Sequence, residues 1–192
     1  IKETTRKEFE NYISAENNEA TEGINVGKDE NSKTVTMMQD EIVEVVYWYE
    51  KEFKITTHVI EHEEIDKQGN VIKVKGGKIS GENETPYEKV IRSNDSTKEI
   101  IITPDNGYKI KKVLINGKEI DVTNNIKEDG SLILDKFINM QEDKKIEVEF
   151  EKMPAKVIVQ YKDIDTKEEI IETKKINGFV NDAYNEPRVE ID

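Results

Sequence analysis

The sequence predicts a mainly β protein: tandem small β modules, β-grasp-like or sandwich-like, in an elongated arrangement, with one short N-terminal helix. Three observations predict it. Runs rich in Val, Ile, Tyr and Phe alternate with clusters of Gly, Asn, Asp and Pro along the 192 residues. No helical period recurs after residue 14. Apolar residues make up only 34% of the chain and charged ones 37%. That is lean for one large core and adequate for several small ones with much surface.

Phe9, Tyr12 and Ile13 stand at i, i+3 and i+4 within Thr4–Ser14, which suits a short amphipathic helix. The polar stretch from Glu16 to Gly23 has little to bury and reads as a loop. A strand signal begins near Val35. The run Glu41–Tyr49, β-branched and then aromatic, is the strongest strand signal in the chain. Phe53–Ile60 puts Phe53, Ile55, Thr57 and Val59 on one face, and Asp66–Asn70 turns the chain into Val71–Val74. Gly76-Gly77 punctuates the run. Lys98–Thr103 is a strand stopped by the turn Pro104–Gly107. Tyr108–Ile115 then meets Asn116-Gly117, the favoured two-residue hairpin loop, and Lys118–Val122 returns. A further strand falls near Leu132–Leu134. In Ile146–Glu151 strict alternation turns Ile146, Val148 and Phe150 inward and three Glu outward. Met153-Pro154 marks a module boundary, because Pro cannot continue a central ladder. Val157–Tyr161, the turn Asp163–Lys167 and Glu169–Lys174 form one more hairpin, and the tail from Asn177 is turn-rich.

Charge and composition exclude several functions. Lys and Arg total 29 against 42 Asp and Glu, a net charge of −13. Such a surface repels nucleic-acid phosphate and anionic lipid. No run approaches the roughly 18 apolar residues of a membrane span, so no membrane insertion is expected. With no Cys there is no disulfide scaffold, thiolate zinc site or Cys nucleophile. The chain starts at Ile1 without a signal peptide and shows no anchor before Asp192, so it reads as a piece of a longer protein.

Two resemblances organise the chain. Val157-Ile-Val-Gln-Tyr161, the acidic turn Asp163-Ile-Asp165 and Gly178-Phe-Val-Asn-Asp-Ala-Tyr184 resemble the opening of the mucin-binding (MucBP-like) repeats of Gram-positive surface proteins, with Asn181 where a Gly is usual. Thr36-Met-Met-Gln-Asp40 followed by Ile42–Tyr49 resembles the closing strand of the same repeats. Thr103–Gly117 and Asp143–Phe150 are similar to the divergent internalin B-repeat type. The resemblance implies residues 1–51 as the back of one MucBP-like module, 52–152 as a B-repeat-like module, and 153–192 as the front of another MucBP-like module. It also implies a secreted, cell-wall-attached location and, as partners, host mucin or other glycans. The two incomplete halves allow a head-to-tail contact between chain ends.

Site candidates are few. Trp48 and Tyr87 are the ligand-binding candidates, since aromatic rings stack on sugar faces. Alternation separates Trp48 from Tyr47 and Tyr49, whose expected place is the core. His58, His62 and Glu64 are the metal-ligand candidates, sharing a strand face. However, His at i and i+4 on a strand stand about 13 Å apart from the rise per residue, so two solvated His are expected and no metal or other cofactor. Asp163, Asp165, Glu168 and Glu169, like Asp66, Asn70, Asn94 and Asp95, read as acidic turns, because the central Gly and terminal Glu of a calcium loop are missing. No nucleophile elbow, phosphate loop or dinucleotide fingerprint occurs. The expected function is therefore a non-enzymatic surface module serving as adhesin stalk or spacer, with weak, multivalent glycan binding. The alternative is an accessory module of a secreted wall-associated enzyme.

Overall fold

The computed structural model describes residues 2–16, 22–66, 68–84, 86–90 and 97–185. The protein is mainly β. In chain order the strands are β1 (Lys2–Thr5), β2 (Tyr12–Ser14), β3 (Ile24–Val26), β4 (Ser32–Val35), β5 (Val45–Tyr47), β6 (Tyr49–Lys51), β7 (Phe53–Ile60), β8 (His62–Ile65) and β9 (Val71–Val74). They continue with β10 (Gly77–Ile79), β11 (Glu88–Val90), β12 (Ile100–Pro104), β13 (Tyr108–Ile115), β14 (Lys118–Ile120), β15 (Leu132–Leu134), β16 (Lys144–Lys152), β17 (Pro154–Lys162) and β18 (Glu169–Phe179). One 3₁₀ turn, Thr123–Asn125, is the helical element among the described residues, and no helix is long and apolar enough to cross a membrane.

The chain divides into two compact units. The first comprises residues 1–56, 83–99 and 135–144. Here β1 pairs antiparallel with β4, β2 with β6, and β11 with the first residues of β7, while β3 and β5 run parallel. Its buried apolar side chains are Ala15, Val26, Val35, Phe53, Ile55 and Met140. The expected N-terminal helix is absent. Asn11 takes a left-handed φ of 61°, and Tyr12–Ser14 becomes a strand on Tyr49–Lys51. The helical spacing of Phe9, Tyr12 and Ile13 arises from a turn, in which the Tyr12 N–H donates to the Phe9 carbonyl at 3.3 Å. The Glu41–Tyr49 run also departs from one continuous strand. Glu41–Glu44 lies outside any strand, β5 joins β3, and β6 joins β2, with Trp48 at the switch. Propensity marks the run as extended but carries nothing about which partner each half will find.

The second unit comprises residues 57–82, 100–134 and 145–192. Its strands order as β10-β12-β15 in one sheet and β7-β16-β13-β14 in another, with two-stranded β8–β9 and β17–β18 beside them. The core follows the alternation. Val59, Ile100, Ile102, Val113, Leu132, Ile146, Val148 and Phe150 are buried, and so is Thr57, whose hydroxyl donates to the Ser80 carbonyl at 2.8 Å. Two of the three outward Glu of β16 meet β13 lysines, Glu151 with Lys109 at 3.0 Å and Glu149 with Lys111 and Lys112 at 2.6 and 2.9 Å, and the third, Glu147, pairs with Lys145 of its own strand at 2.8 Å. Asn116 and Gly117, with φ of 50° and 77°, form the β13–β14 hairpin loop that an Asn-Gly pair favours. Gly77 is buried because the Phe150 ring lies over it, and a Cβ there would sit 2.5 Å from Phe150 Cζ.

Candidate functional site

In the first unit, Arg6 organises the aromatic residues. It follows β1, and its guanidinium lies 5.0 Å from the Tyr47 ring and 5.4 Å from the Tyr49 ring. Its fork donates to the Glu30, Trp48, Val26 and Gly27 carbonyls at 2.8–3.2 Å. A planar, five-donor fork reaches four separate acceptors, more than the three donors of a single ammonium nitrogen can serve. The Tyr47 hydroxyl reaches Thr4, and the Tyr49 hydroxyl donates to the Lys7 carbonyl at 2.5 Å. Both tyrosines are half-buried and lie outside the buried core expected for them, with their hydroxyls held by Thr4 and Lys7. Trp48 is half-buried, and its indole N–H donates to Asn25 at 2.8 Å.

Beside this scaffold lies a cleft of about 550 Å³ that sequence reasoning missed. Phe9, Tyr12 and Tyr49 supply its aromatic surface, with Lys7, Ser14 and Asn31 among its polar lining. Phe9 meets Tyr49 edge to face, 5.0 Å between centroids at 82°, yet Phe9 and Tyr12 remain 53% and 47% exposed. A large aromatic side chain left in water beside polar groups is a cost to folding that a planar, polar-edged ligand would offset. The signal lay in Phe9 and Tyr12 themselves, which helical spacing assigned to a packed face. Tyr87 is elsewhere in this unit. Its backbone N–H donates to the Ile55 carbonyl at 2.8 Å, its hydroxyl donates to the Glu99 carbonyl at 3.2 Å, and Lys98 Nζ stands 5.4 Å from the ring.

In the second unit, the structure brings His62 and Glu64 together and leaves His58 apart. His58 points outward from β7, whereas His62 opens β8 after a break at Glu61. Glu64 is the centre of a small polar network. It meets His62 Nε2 at 2.8 Å, accepts the Tyr108 hydroxyl at 2.9 Å, and pairs with Lys152 Nζ at 2.8 Å. Burial alone would raise its pKa. Hydrogen bonds from Lys152, His62 and Tyr108 outweigh that and hold the carboxyl below its usual range. The same arrangement, burial first and the Glu64 carboxylate second, pushes the Tyr108 hydroxyl up to about 12. His62 Nδ1 is buried without a hydrogen-bond partner. The Glu64 carboxylate thus ties together side chains from β8, β13 and β16.

Among the described residues, no three His, Asp or Glu side chains are placed to share a metal ion. The Asp163 carboxylate accepts the N–H groups of Asp165 and Thr166 at 2.9 and 2.8 Å, closing the β17–β18 turn. Asp66 does the same for Gln68 and Asn70. Asn94 and Asp95 lie outside the described residues. Asn181, standing where the resembled repeat has Gly, takes a φ of 71° in the turn after β18, a conformation Asn tolerates better than most residues. Against family models, curated proteins and solved structures alike, the chain has no match.

Proposed function

We propose that this chain is a non-enzymatic repeat region of a bacterial cell-surface protein, acting as adhesin stalk or spacer. It would be wall-attached and extracellular, and its binding would be weak contact with saccharide on host glycoprotein or polysaccharide. The observation that carries the binding role is the Phe9–Tyr12–Tyr49 cleft. The exposed rings of Phe9 and Tyr12, flanked by Lys7, Ser14 and Asn31, offer apolar ring surface beside donors and acceptors, the combination a pyranose ring needs. The cleft is open and small, so affinity per module is low and adhesion rests on repetition.

Titration of the ¹⁵N-labelled chain with neutral and sialylated mucin-type oligosaccharides tests this. Shifts confined to residues around Phe9, Tyr12 and Asn31, with a Kd on the order of 1 mM (roughly −4 kcal/mol), would support it. Phe9→Ala should weaken them about tenfold. Shifts absent at saturating sugar, or unchanged in Phe9→Ala, would remove the glycan reading and leave the spacer.

A further inference from the structure

The chain contains three Asn-Gly pairs, Asn106-Gly107, Asn116-Gly117 and Asn177-Gly178, all in the second unit. An Asn-Gly pair carries its own nucleophile and electrophile. The glycine nitrogen, with no Cβ beside it to crowd the approach, attacks the carboxamide carbon of the preceding Asn. The reaction requires both groups to be free to meet. The structure separates the three pairs on that requirement.

At Asn116 the carboxamide is held. Its Oδ1 accepts the Lys145 N–H at 2.7 Å, and its own N–H donates to the Lys145 carbonyl at 2.8 Å. At Asn177 the glycine nitrogen is held. The Val180 N–H donates to the Met153 carbonyl at 2.9 Å, and bonded pairs alternate along an antiparallel ladder. The pair two rungs on, Gly178 with Ala155, is therefore a bonded one, and it engages the Gly178 N–H. Asn106 has neither restraint. It is exposed in the turn between β12 and β13, which the Tyr108 N–H closes on the Asp105 carbonyl at 3.0 Å. Among the described residues, neither its carboxamide nor the Gly107 N–H has a hydrogen-bond partner. Gly107 is buried, with the Asn181 side chain over one face, but the Asn106 carboxamide that must reach it stands in water. Only carbonyls are held in this turn. The Asn106 carbonyl accepts from Asn181 Nδ2 at 3.3 Å, and the Gly107 carbonyl accepts the Met153 N–H at 2.8 Å, where the chain leaves β16 for β17.

We propose that Asn106 is a self-modification site, converted in the folded chain to aspartate and isoaspartate ahead of Asn116 and Asn177. The Gly107 nitrogen gives its proton to water and bonds to Asn106 Cγ. The Cγ–Nδ2 bond breaks, and Nδ2 takes up a proton and leaves as ammonia. Water then opens the cyclic imide at either carbonyl. Opening at the main-chain carbonyl gives isoaspartate, which routes the backbone through the former side chain and adds a methylene before Gly107. That displaces the Gly107 carbonyl from the Met153 N–H, so the tie at the root of the β17–β18 ribbon is lost irreversibly. The site goes beyond the spacer reading: it is a slow covalent clock that needs only water.

Ageing of the unaltered full chain in mildly alkaline buffer, followed by peptide mass spectrometry, is the test. Isoaspartate is scored separately by its enzymatic methylation with labelled S-adenosylmethionine. Conversion at position 106 should run about tenfold faster than at 116 or 177, the factor by which one neutral hydrogen bond restrains a group. In concentrated urea the three pairs should convert at similar rates, because the restraints are gone. The aged chain should exchange its Met153 amide hydrogen about tenfold faster than the fresh chain, the worth of the bond to Gly107. Asn106→Gln, whose longer side chain disfavours the ring, should abolish both the methylation at this site and the change in exchange. The ageing arm uses the unaltered chain, so it stands whether or not the variant folds. Folded-state conversion at 116 or 177 that matches 106 would sink the proposal. So would a ranking that survives in urea, or Met153 exchange that ageing leaves unchanged.

Discussion

Gly77→Ala should be among the most damaging single-methyl changes in this chain. The new Cβ would lie 2.5 Å from Phe150 Cζ, 2.7 Å from its Cε1 and 2.7 Å from the Thr103 carbonyl oxygen. Ordinary contact begins near 3.4 Å, so the Phe150 ring must retreat by about 0.9 Å. It is 1% exposed and closed in by Ile146 and Val148 on its own strand face, and the Thr103 oxygen is backbone paired in the β10–β12 ladder. Overpacking of this kind costs about 1–3 kcal/mol, and a clash against both ring and backbone belongs at the upper end, about 3 kcal/mol. Gly69→Ala is the control. Nothing lies within 4 Å of its Cβ position, but its φ is 86°, so its cost is the backbone strain alone, about 1 kcal/mol. Urea unfolding followed by far-ultraviolet circular dichroism would show a midpoint lowered by roughly 1.5 M for Gly77→Ala if m is about 2 kcal/mol/M. Adding Phe150→Leu removes the ring atoms but not the Thr103 oxygen. The double variant should therefore be about 1 kcal/mol less destabilised than the sum of the two single changes. The reasoning fails if Gly77→Ala costs no more than Gly69→Ala, or if the pair is strictly additive.

Arg6→Ala strands four carbonyls and should destabilise the first unit by about 2–4 kcal/mol, read by emission of the single Trp, Trp48. Arg6→Lys should recover little of that, since a point charge cannot span the fork. In an alkaline titration, one of the seven tyrosines should ionise about two pH units late, near pH 12, and Tyr108→Phe should abolish that late step. Because the folded value of Tyr108 is the raised one, its contribution to stability is whole below pH 10 and is lost as pH climbs toward 12. Glu64 has the opposite sign. Its lowered value gives stability that is present above about pH 4.5 and lost as pH falls through the folded pKa, so Glu64→Gln should flatten the acid limb of a stability–pH profile.

Period-two patterns are the legible feature of the sequence. Phe53, Ile55, Thr57 and Val59 lie on one buried face, and Ile146, Val148 and Phe150 are buried with three glutamates outward, because alternation maps directly onto the two faces of a strand. Asn116-Gly117 is legible because its backbone geometry is local. Helix spacing near the N-terminus misleads, since the four-residue turn Phe9–Tyr12 and a helical turn bring i and i+3 to similar positions. The Glu41–Tyr49 run reads as one strand because propensity is a property of the segment, whereas the parallel partner of β5 lies about twenty residues away. Arg6 cannot be singled out by sequence, because its four acceptors are backbone carbonyls and carry no residue signature. The Glu64 network gathers side chains from β8, β13 and β16, and only His62 and Glu64 are near enough in sequence to be seen as a pair.

The β17–β18 turn leaves Pro154 opposite Phe179, so both strands enter and leave at the same end. A pull transmitted through the backbone would load that end first and break its rungs in succession, where strands leaving at opposite ends would resist together in shear. Such a hairpin yields at low force. Drawn out fully, its residues from 154 to 179 would reach about 85 Å at roughly 3.3 Å each. Under drag this segment would release slack before the interleaved sheets were stressed, and it would zip closed again when the load fell.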